Sequence, residues 1–310
     1  RQEIEQLLKQ YDIGGLVDYQ EISSGIENTN YFVTTSLQGG EDKRWVLTLF
    51  VNLKQHELPY FCDLTRHLEQ DGFKVPAPVV NRMGGSVFCL KGKAGVLVPC
   101  LIGASLDEPS SQSCTFVGVY LAGMHLSLRS FSQRRAVQRD IAWMKGQLEK
   151  LEGKMDLSEF EVLQGYFRRY CAYQPHLLDC PQGTIHGDLF RDNVLFLNDR
   201  RPSFIDFYYA CDEVLVFDIA IAVNDWCIDV DGAIDKNKLT EFIEGYETER
   251  PLTKEERVYM PVALRWAALR FYISRLEHIH SNPSAEILAV KNPNQFKNIL
   301  IDRQVTGYRF

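Results

Sequence analysis

The sequence predicts an α+β protein with two lobes: an N-terminal lobe built on an antiparallel β-sheet, and a larger, mainly helical C-terminal lobe. Three observations predict it. Runs of β-branched and aromatic residues separated by turn residues fill the first hundred positions. From residue 113 onward, apolar residues recur with helical period. Between these regions Ile102-Gly103-Ala104-Ser105 and Pro109-Ser110-Ser111 make a linker, which sets the boundary between residues 1–103 and 104–310. No strand–helix alternation carries G-x-G-x-x-G, which argues against a dinucleotide-binding fold.

In order, Ile4, Leu7, Leu8 and Tyr11 give residues 2–12 a short amphipathic helix. Residues 16–23 read as a strand, residues 23–30 as a turn-rich loop and residues 31–35 as a second strand. Gln38-Gly39-Gly40 turns into a third strand over 44–51. A helix over 55–71 stops at Asp71-Gly72, and a hairpin over 86–90 and 94–101 folds around Lys91-Gly92-Lys93. Beyond the linker, Phe116 to Leu126, Ile141 to Leu151 and Phe160 to Tyr170 have helical spacing. Short strand-like pieces at 184–186, 194–197 and 203–207 precede three more helices near 214–226, 235–248 and 254–280.

Composition narrows the class of function. With 45% hydrophobic residues and 24% charged residues spread along 310 positions, a sizeable core forms and disorder is not expected. The net charge is −7 with no strongly basic run, so nucleic acid is not an expected partner. The longest apolar run, 214–223, is short and interrupted by Asp218, so no membrane span is expected. Eight scattered cysteines form no C-x-x-C pair; Cys211 and Cys227 near the motifs read as inert core, and free thiols suit a reducing, cytoplasmic location.

His186-Gly187-Asp188-Leu189-Phe190-Arg191-Asp192-Asn193 has the form H-x-D-L-x-x-x-N, and Ile205-Asp206-Phe207 follows with the form D-F-x. In kinases of the protein-kinase type, the first pattern sets a carboxylate beside the substrate hydroxyl and an Asn on metal. The second pattern sets its Asp on metal. Phosphoryl transfer needs positioning and charge neutralisation more than covalent help. Asp188 is therefore the candidate base, and Asn193 and Asp206 are candidate metal ligands. Hard oxygen donors beside ATP phosphates suit Mg²⁺ and not zinc. Arg191 either faces the transferred phosphoryl group or is a solvated loop charge. His186 reads as structural, because in this loop class the Asp does the proton work. In the loop over 23–30, Ser23, Gly25, Asn28 and Asn30 are candidates to cover the ATP phosphates with backbone N–H groups and small side chains.

These motifs sit among longer pieces: Gly25-Ile26-Glu27-Asn28-Thr29-Asn30-Tyr31-Phe32-Val33, Val46-Leu47-Thr48-Leu49, Val75-Pro76-Ala77-Pro78, Leu121-Ala122-Gly123-Met124-His125-Leu126, Phe217-Asp218-Ile219-Ala220 and Asn224-Asp225-Trp226-Cys227. With them the chain resembles the aminoglycoside phosphotransferase and choline kinase-like superfamily, and more closely the bacterial homoserine kinases of that fold. The resemblance implies a protein-kinase-like fold with a nucleotide-binding N-lobe and a catalytic, substrate-binding C-lobe. It implies transfer of the γ-phosphoryl group of Mg-ATP to the side-chain hydroxyl of L-homoserine, with O-phosphohomoserine feeding threonine synthesis. Carried onto these residues, it makes Asp188 the base, Asn193 and Asp206 the Mg²⁺ ligands, and Asp218 a brace for the catalytic loop.

One position departs from the wider superfamily. The third strand there carries a Lys that pairs with the α/β-phosphates, and here Thr48 stands at that place, as it does in the closer family. Lys43, Arg44, Lys54 and Arg82 remain as alternative cations, and Glu57, the nearest candidate partner on the following helix, loses its usual purpose. Homoserine brings an ammonium and a carboxylate, so its pocket needs an acid and an Arg. Asp225 is the candidate acid. Arg265, Arg270 and Arg275 share one helix at spacings of five, each step turning about 140°, so they cannot all face one pocket; Arg270 is the candidate chosen. Tyr208 and Trp226 are candidate pocket walls, with core packing the other reading for Trp226. Two alternatives stay open: a kinase for another amino alcohol such as choline, ethanolamine or an aminoglycoside, and a nucleotide-binding regulator without turnover.

Overall fold

The alternating runs of the first hundred residues form a five-stranded antiparallel sheet. The computed structural model describes residues 1–22, 28–37, 40–197, 201–281 and 293–305. The chain divides into two compact units, Arg1–Gly103 with Ser203–Ile205, and Ala104–Pro202 with Asp206–Phe310.

The first unit runs α1 (Gln2–Leu8), β1 (Gly15–Ile22), β2 (Asn28–Ser36), β3 (Lys43–Phe50), α2 (Leu58–Gln70), β4 (Val87–Leu90) and β5 (Lys93–Pro99). The sheet order is β1-β2-β3-β5-β4. Side chains alternate between its faces. Val33, Leu47 and Leu97 are fully buried on one face, where Ile4, Leu7 and Leu8 of α1 join the same apolar cluster. The opposite face carries Asn30, Thr48 and Val96, which lie directly across from one another on β2, β3 and β5. One boundary differs from the sequence expectation. β2 starts at Asn28, so Asn28 and Asn30 are strand residues and not loop residues. Pairing of Asn28 with Phe50 and Asn30 with Thr48 overrides the turn preference of asparagine. α2 begins at Leu58, later than expected, with Pro59 in its first turn and the Lys54 N–H donating to Glu57 Oε2 at 3.0 Å.

The second unit contains α3 (Ser111–Ser127), α4 (Ile141–Leu151), α5 (Leu157–Leu177), β6 (Gln182–Ile185), β7 (Val194–Phe196), β9 (Cys211–Val214), α6 (Leu215–Trp226), α7 (Lys236–Glu249), α8 (Lys254–Ser281) and α9 (Pro293–Val305); the short strand β8 (Pro202–Phe204) has its last two residues in the first unit. Ser110, Asp140, Asp156 and Asp235 cap α3, α4, α5 and α7 through their side-chain oxygens. All twelve residues of α6 are buried, which makes it the central element of this unit. Two elements were not expected from the sequence. β9 reads Cys-Asp-Glu-Val and is a strand because it pairs with β6. α9 has no clear apolar period, yet it buries Phe296, Ile299, Leu300 and Arg303. Among the described residues no helix is long and apolar enough to cross a membrane. All eight cysteines are free, and five of them are buried.

α3 and α7 touch backbone to backbone. A Cβ placed on Gly118 would lie 2.2 Å from the Phe242 carbonyl oxygen, and one on Gly245 would lie 2.4 Å from that of Thr115. Gly118→Ala is therefore expected to lower the unfolding free energy by about 1–3 kcal/mol through overpacking, against a helix-propensity gain of at most about 1 kcal/mol. Urea denaturation measures this, and an unchanged or raised midpoint would show that the contact is not tight.

Candidate active site

The two motifs come together because their flanking strands pair. β6 and β9 run antiparallel with Ile185 opposite Cys211. His186 leaves the end of β6, and Ala210 enters the start of β9 at that same end. The His186 ring lies 4.6 Å from the Phe207 ring. Gly187 has φ +78°, and a Cβ there would meet the Tyr209 carbonyl oxygen at 2.7 Å, so only glycine fits. Asp206 is exposed and left-handed, at φ 62° and ψ 59°. Among non-glycine residues Asp tolerates this region better than most, at a cost of order 1 kcal/mol. Such a conformation holds only where its surroundings fix it, here the buried Phe207 next in the chain.

The backbone of the loop over 186–193 is fastened group by group. The buried carboxylate of Asp218, on α6, accepts the His186 N–H at 2.8 Å and the Gly187 N–H at 3.0 Å. The Gly187 carbonyl accepts from Arg270 Nη2 at 2.9 Å. The Asp188 N–H donates to His186 Nδ1 at 3.3 Å, and the Leu189 carbonyl accepts from the Trp226 indole N–H at 3.3 Å. The Arg191 N–H donates to Asp225 Oδ2 at 2.7 Å. Asn193 Nδ2 donates both to the Asp188 carbonyl, at 2.7 Å, and to Asp188 Oδ2, at 2.9 Å. Asp188 is thus half-buried with its side chain oriented by Asn193.

Behind Asp218 lies a buried polar chain that sequence reasoning did not connect. His125 Nε2 is 3.1 Å from Asp218 Oδ2 and His125 Nδ1 is 2.8 Å from the Tyr246 hydroxyl. Arg250 Nη1 donates to that hydroxyl at 2.9 Å and Arg250 Nη2 to Glu256 Oε1 at 2.9 Å. With Arg250 donating, the Tyr246 hydroxyl donates to Nδ1, which assigns the proton of His125 to Nε2 and directs it at Asp218. Burial raises the Asp218 carboxyl, but the hydrogen bond from His125, together with His186, outweighs it and holds the group below its ordinary value. The signal in the sequence was a His among the apolar residues of a helix, Leu121, Ala122 and Met124.

The other predicted residues divide. Arg191 and Asp225 pair with each other, Nε to Oδ2 at 3.2 Å and Nη2 to Oδ1 at 3.3 Å, and Arg191 also donates to the Asp107 carbonyl. Arg270 differs from the expectation of a substrate-facing arginine. It is 4% exposed, lies over the Phe217 and Phe271 rings at 4.5 and 4.8 Å, and spends its hydrogen bond on the Gly187 carbonyl. Burial pulls its guanidinium below the usual value. Tyr208 is half-buried in the turn over 207–209. Trp226 is fully buried, in agreement with the core reading. Asn28, Asn30 and Thr48 share one face of the first unit's sheet; Ser23 and Gly25 lie outside the described residues. Of the alternative cations, Arg82 is paired with Asp12 and Arg44 stacks 3.8 Å over Phe32. Glu57, without a strand lysine to meet, accepts from the Lys54 N–H.

A divalent cation fits the donors present. Among the described residues no three His, Cys, Asp or Glu side chains cluster to form an all-protein metal cage. Asn193 commits its Nδ2 to Asp188 and keeps Oδ1 for a ligand, while Asp206 presents an exposed carboxylate. Two oxygens of this kind suit a hard ion that takes its remaining ligands from phosphate and water.

The brace generates a prediction with a defined pH dependence. Because the Asp218 carboxyl is held below its ordinary 3.8, the stability it confers is present above that value and is lost as pH falls through the depressed folded one. Asp218→Asn turns an amide donor towards N–H groups and is expected to cost about 3–5 kcal/mol at neutral pH. In urea titrations its deficit against the unaltered protein should shrink below pH 3.8; a deficit that grew on acidification would contradict the depressed carboxyl.

Residues 18–252 match the model of the phosphotransferase enzyme family. A homoserine kinase of Methylobacillus flagellatus is 42% identical over 299 residues, 96% of this chain and 92% of that protein. A homoserine kinase of Neisseria meningitidis is 39% identical, covering 96% of each chain. Among solved structures, amicoumacin kinase in complex with AMP-PNP, Ca²⁺ and its antibiotic has a TM-score of 0.73 at 17% identity, over 98% of this chain and 92% of that one. A choline kinase of Streptococcus pneumoniae has a TM-score of 0.70 at 13% identity, over 98% and 99%. These two share the protein-kinase-like fold. The chain belongs to the phosphotransferase enzyme family and, within it, to the homoserine kinase group, enzymes that phosphorylate an alcohol.

Proposed function

We propose that this enzyme transfers the γ-phosphoryl group of Mg-ATP to the side-chain hydroxyl of L-homoserine, giving O-phospho-L-homoserine and ADP in the service of threonine synthesis. The observation that carries the reaction type is the fastened loop over 186–193, which holds the Asp188 carboxylate beside Asn193 at 2.9 Å. The acceptor is supported by the homoserine kinases at 39% and 42% identity over nearly the whole chain. The amicoumacin kinase complex, with a nucleoside triphosphate analogue and a divalent cation, supports Mg-ATP as donor.

In this reading Asp188 accepts the proton of the attacking hydroxyl as its oxygen bonds to the γ-phosphorus, and ADP departs. Asn193 Oδ1 and the Asp206 carboxylate would hold Mg²⁺, which neutralises charge on the transferred phosphates. The hydrogen bond from Asn193 Nδ2 fixes the Asp188 rotamer, so the base is aimed before substrate arrives. On the sheet, Asn28, Asn30 and Thr48 face the nucleotide. Thr48 supplies a hydroxyl in place of a cation, so the phosphate charge falls more heavily on Mg²⁺. Asp225 neutralises Arg191 and fixes the end of the loop, with Tyr208 beside the acceptor.

Asp188→Ala is expected to lower kcat by about 10²–10⁴-fold while nucleotide affinity stays unchanged. A coupled ADP-release assay with L-homoserine, choline, ethanolamine and an aminoglycoside tests the acceptor, and titration of a fluorescent ATP analogue tests binding. Turnover of another alcohol without turnover of homoserine would refute the acceptor. Undiminished turnover in the variant would refute the role of the base. Thr48 at the lysine position favours one second reading, a nucleotide-binding regulator, and that reading requires the unaltered protein to bind nucleotide with no acceptor-dependent ADP release.

A further inference from the structure

Of the four arginines on α8, Arg257 pairs with Glu247, and the structure separates the tasks of the other three. Arg265 Nε donates to the Pro261 carbonyl one turn back on its own helix. Arg270 fastens the Gly187 carbonyl. Arg275 does neither. It is half-buried, and its Nε is buried without a hydrogen-bond partner among the described residues. Its Cζ lies 5.7 Å from the ring of Phe296 on α9.

The neighbours of Arg275 place it beside the phosphotransfer loop. Phe271, four residues earlier and so on the same helix face, packs edge-on against Phe190 at 4.6 Å and stacks on Phe296 at 5.5 Å. Ser274, next to it, receives Arg139 Nη1 at 3.0 Å, and Arg139 Nη2 reaches the Tyr209 hydroxyl. Burial lowers the Arg275 guanidinium; Asp188, Asp192 and Asp225 raise it and Arg139 lowers it again. The base itself is therefore among the charges that Arg275 feels. Asp225 already carries Arg191, so the guanidinium of Arg275 is not spent on it.

We infer that Arg275 binds the α-carboxylate of the amino-acid acceptor, with a guanidinium that lies against the Phe296 ring and whose buried Nε has no hydrogen-bond partner among the described residues. This rests on the reading of the enzyme as a homoserine kinase and assigns a residue that sets its acceptor class. The charge pattern suits a zwitterion. Carboxylates around the loop favour an ammonium, and the half-buried guanidinium of Arg275 favours a carboxylate two bonds away. A simple cationic alcohol would satisfy the acids and leave the Arg275 donors unmet, and leaving buried donors unmet is how a polar site rejects an analogue lacking the matching group. Arginine offers two parallel N–H groups to a carboxylate, a geometry lysine does not reproduce.

The test compares L-homoserine with 3-aminopropan-1-ol, which is homoserine without its carboxylate. Arg275→Ala should raise the KM for L-homoserine by about 10- to 100-fold, with kcat and the KM for ATP little changed. The Ki of L-2-aminobutyrate, which keeps the carboxylate and lacks the hydroxyl, should rise in parallel. Arg275→Lys should recover part of the loss. For 3-aminopropan-1-ol, kcat/KM, or Ki against homoserine where turnover is slow, should be the same in all three proteins. An unchanged homoserine KM would overturn the inference, as would equal losses on both acceptors or a raised KM for ATP. The last would move Arg275 to the phosphates. If Arg275→Ala does not fold, Arg275→Gln carries the same comparison. Absence of homoserine turnover in the unaltered enzyme would overturn the function and the inference together, whereas turnover that ignores Arg275 overturns the inference alone.

Discussion

The carboxylate of Asp218 is the constraint on which the rest of the site depends. It has no exposure to water, and it accepts two successive backbone N–H groups at the start of the loop that carries Asp188. A buried carboxylate is tolerated only when its oxygens are filled. Here the second demand is met by His125, which is itself oriented by Tyr246, Arg250 and Glu256 in turn. Asp218, His125, Tyr246 and Glu256 are buried, Arg250 is half-buried, and each has a partner, so the chain is a satisfied network that specifies one loop geometry.

From that anchor the loop is held by side chains from α6, α8 and α9, with α3 behind the anchor. α6 supplies Asp218, Asp225 and Trp226, α8 supplies Arg270 and Phe271, and α3 supplies His125. The paired strands β6 and β9 deliver the loop and the turn after Asp206 to the same end of a ladder. The left-handed backbone of Asp206 and the positive φ of Gly187 lie where these two segments touch. Strained conformations concentrated at one contact mean that the neighbours, and not local preference, determine the chain path there.

Much of this was legible in the sequence. The strand alternation, the linker and the spacing of Asp188, Asn193 and Asp206 could be read directly, because period and turn chemistry act over short range. What was hidden is tertiary. β9 is polar and exists only by pairing with β6. α6 is buried on every side, so no period marks its inner face. Arg270 and Arg275 look alike in sequence, and the Gly187 carbonyl, burial and ring contacts distinguish them. Asn28 and Asn30 have turn chemistry, and cross-strand pairing with β3 enlists them in the sheet.

The position of α9 has a consequence for synthesis. Phe296 packs against both Phe190 of the loop and Phe271 of α8, and Arg303 donates to Asn224 Oδ1 beside Asp225. A ribosome therefore completes Asp188, Asn193 and Asp206 about ninety or more residues before the segment that packs against their loop has been made. A nascent or truncated chain that stops short of α9 would carry every motif residue of a phosphotransferase and yet lack one wall of its aromatic support. The aromatic cluster of Phe190, Phe271 and Phe296 is thus closed only when late sequence emerges.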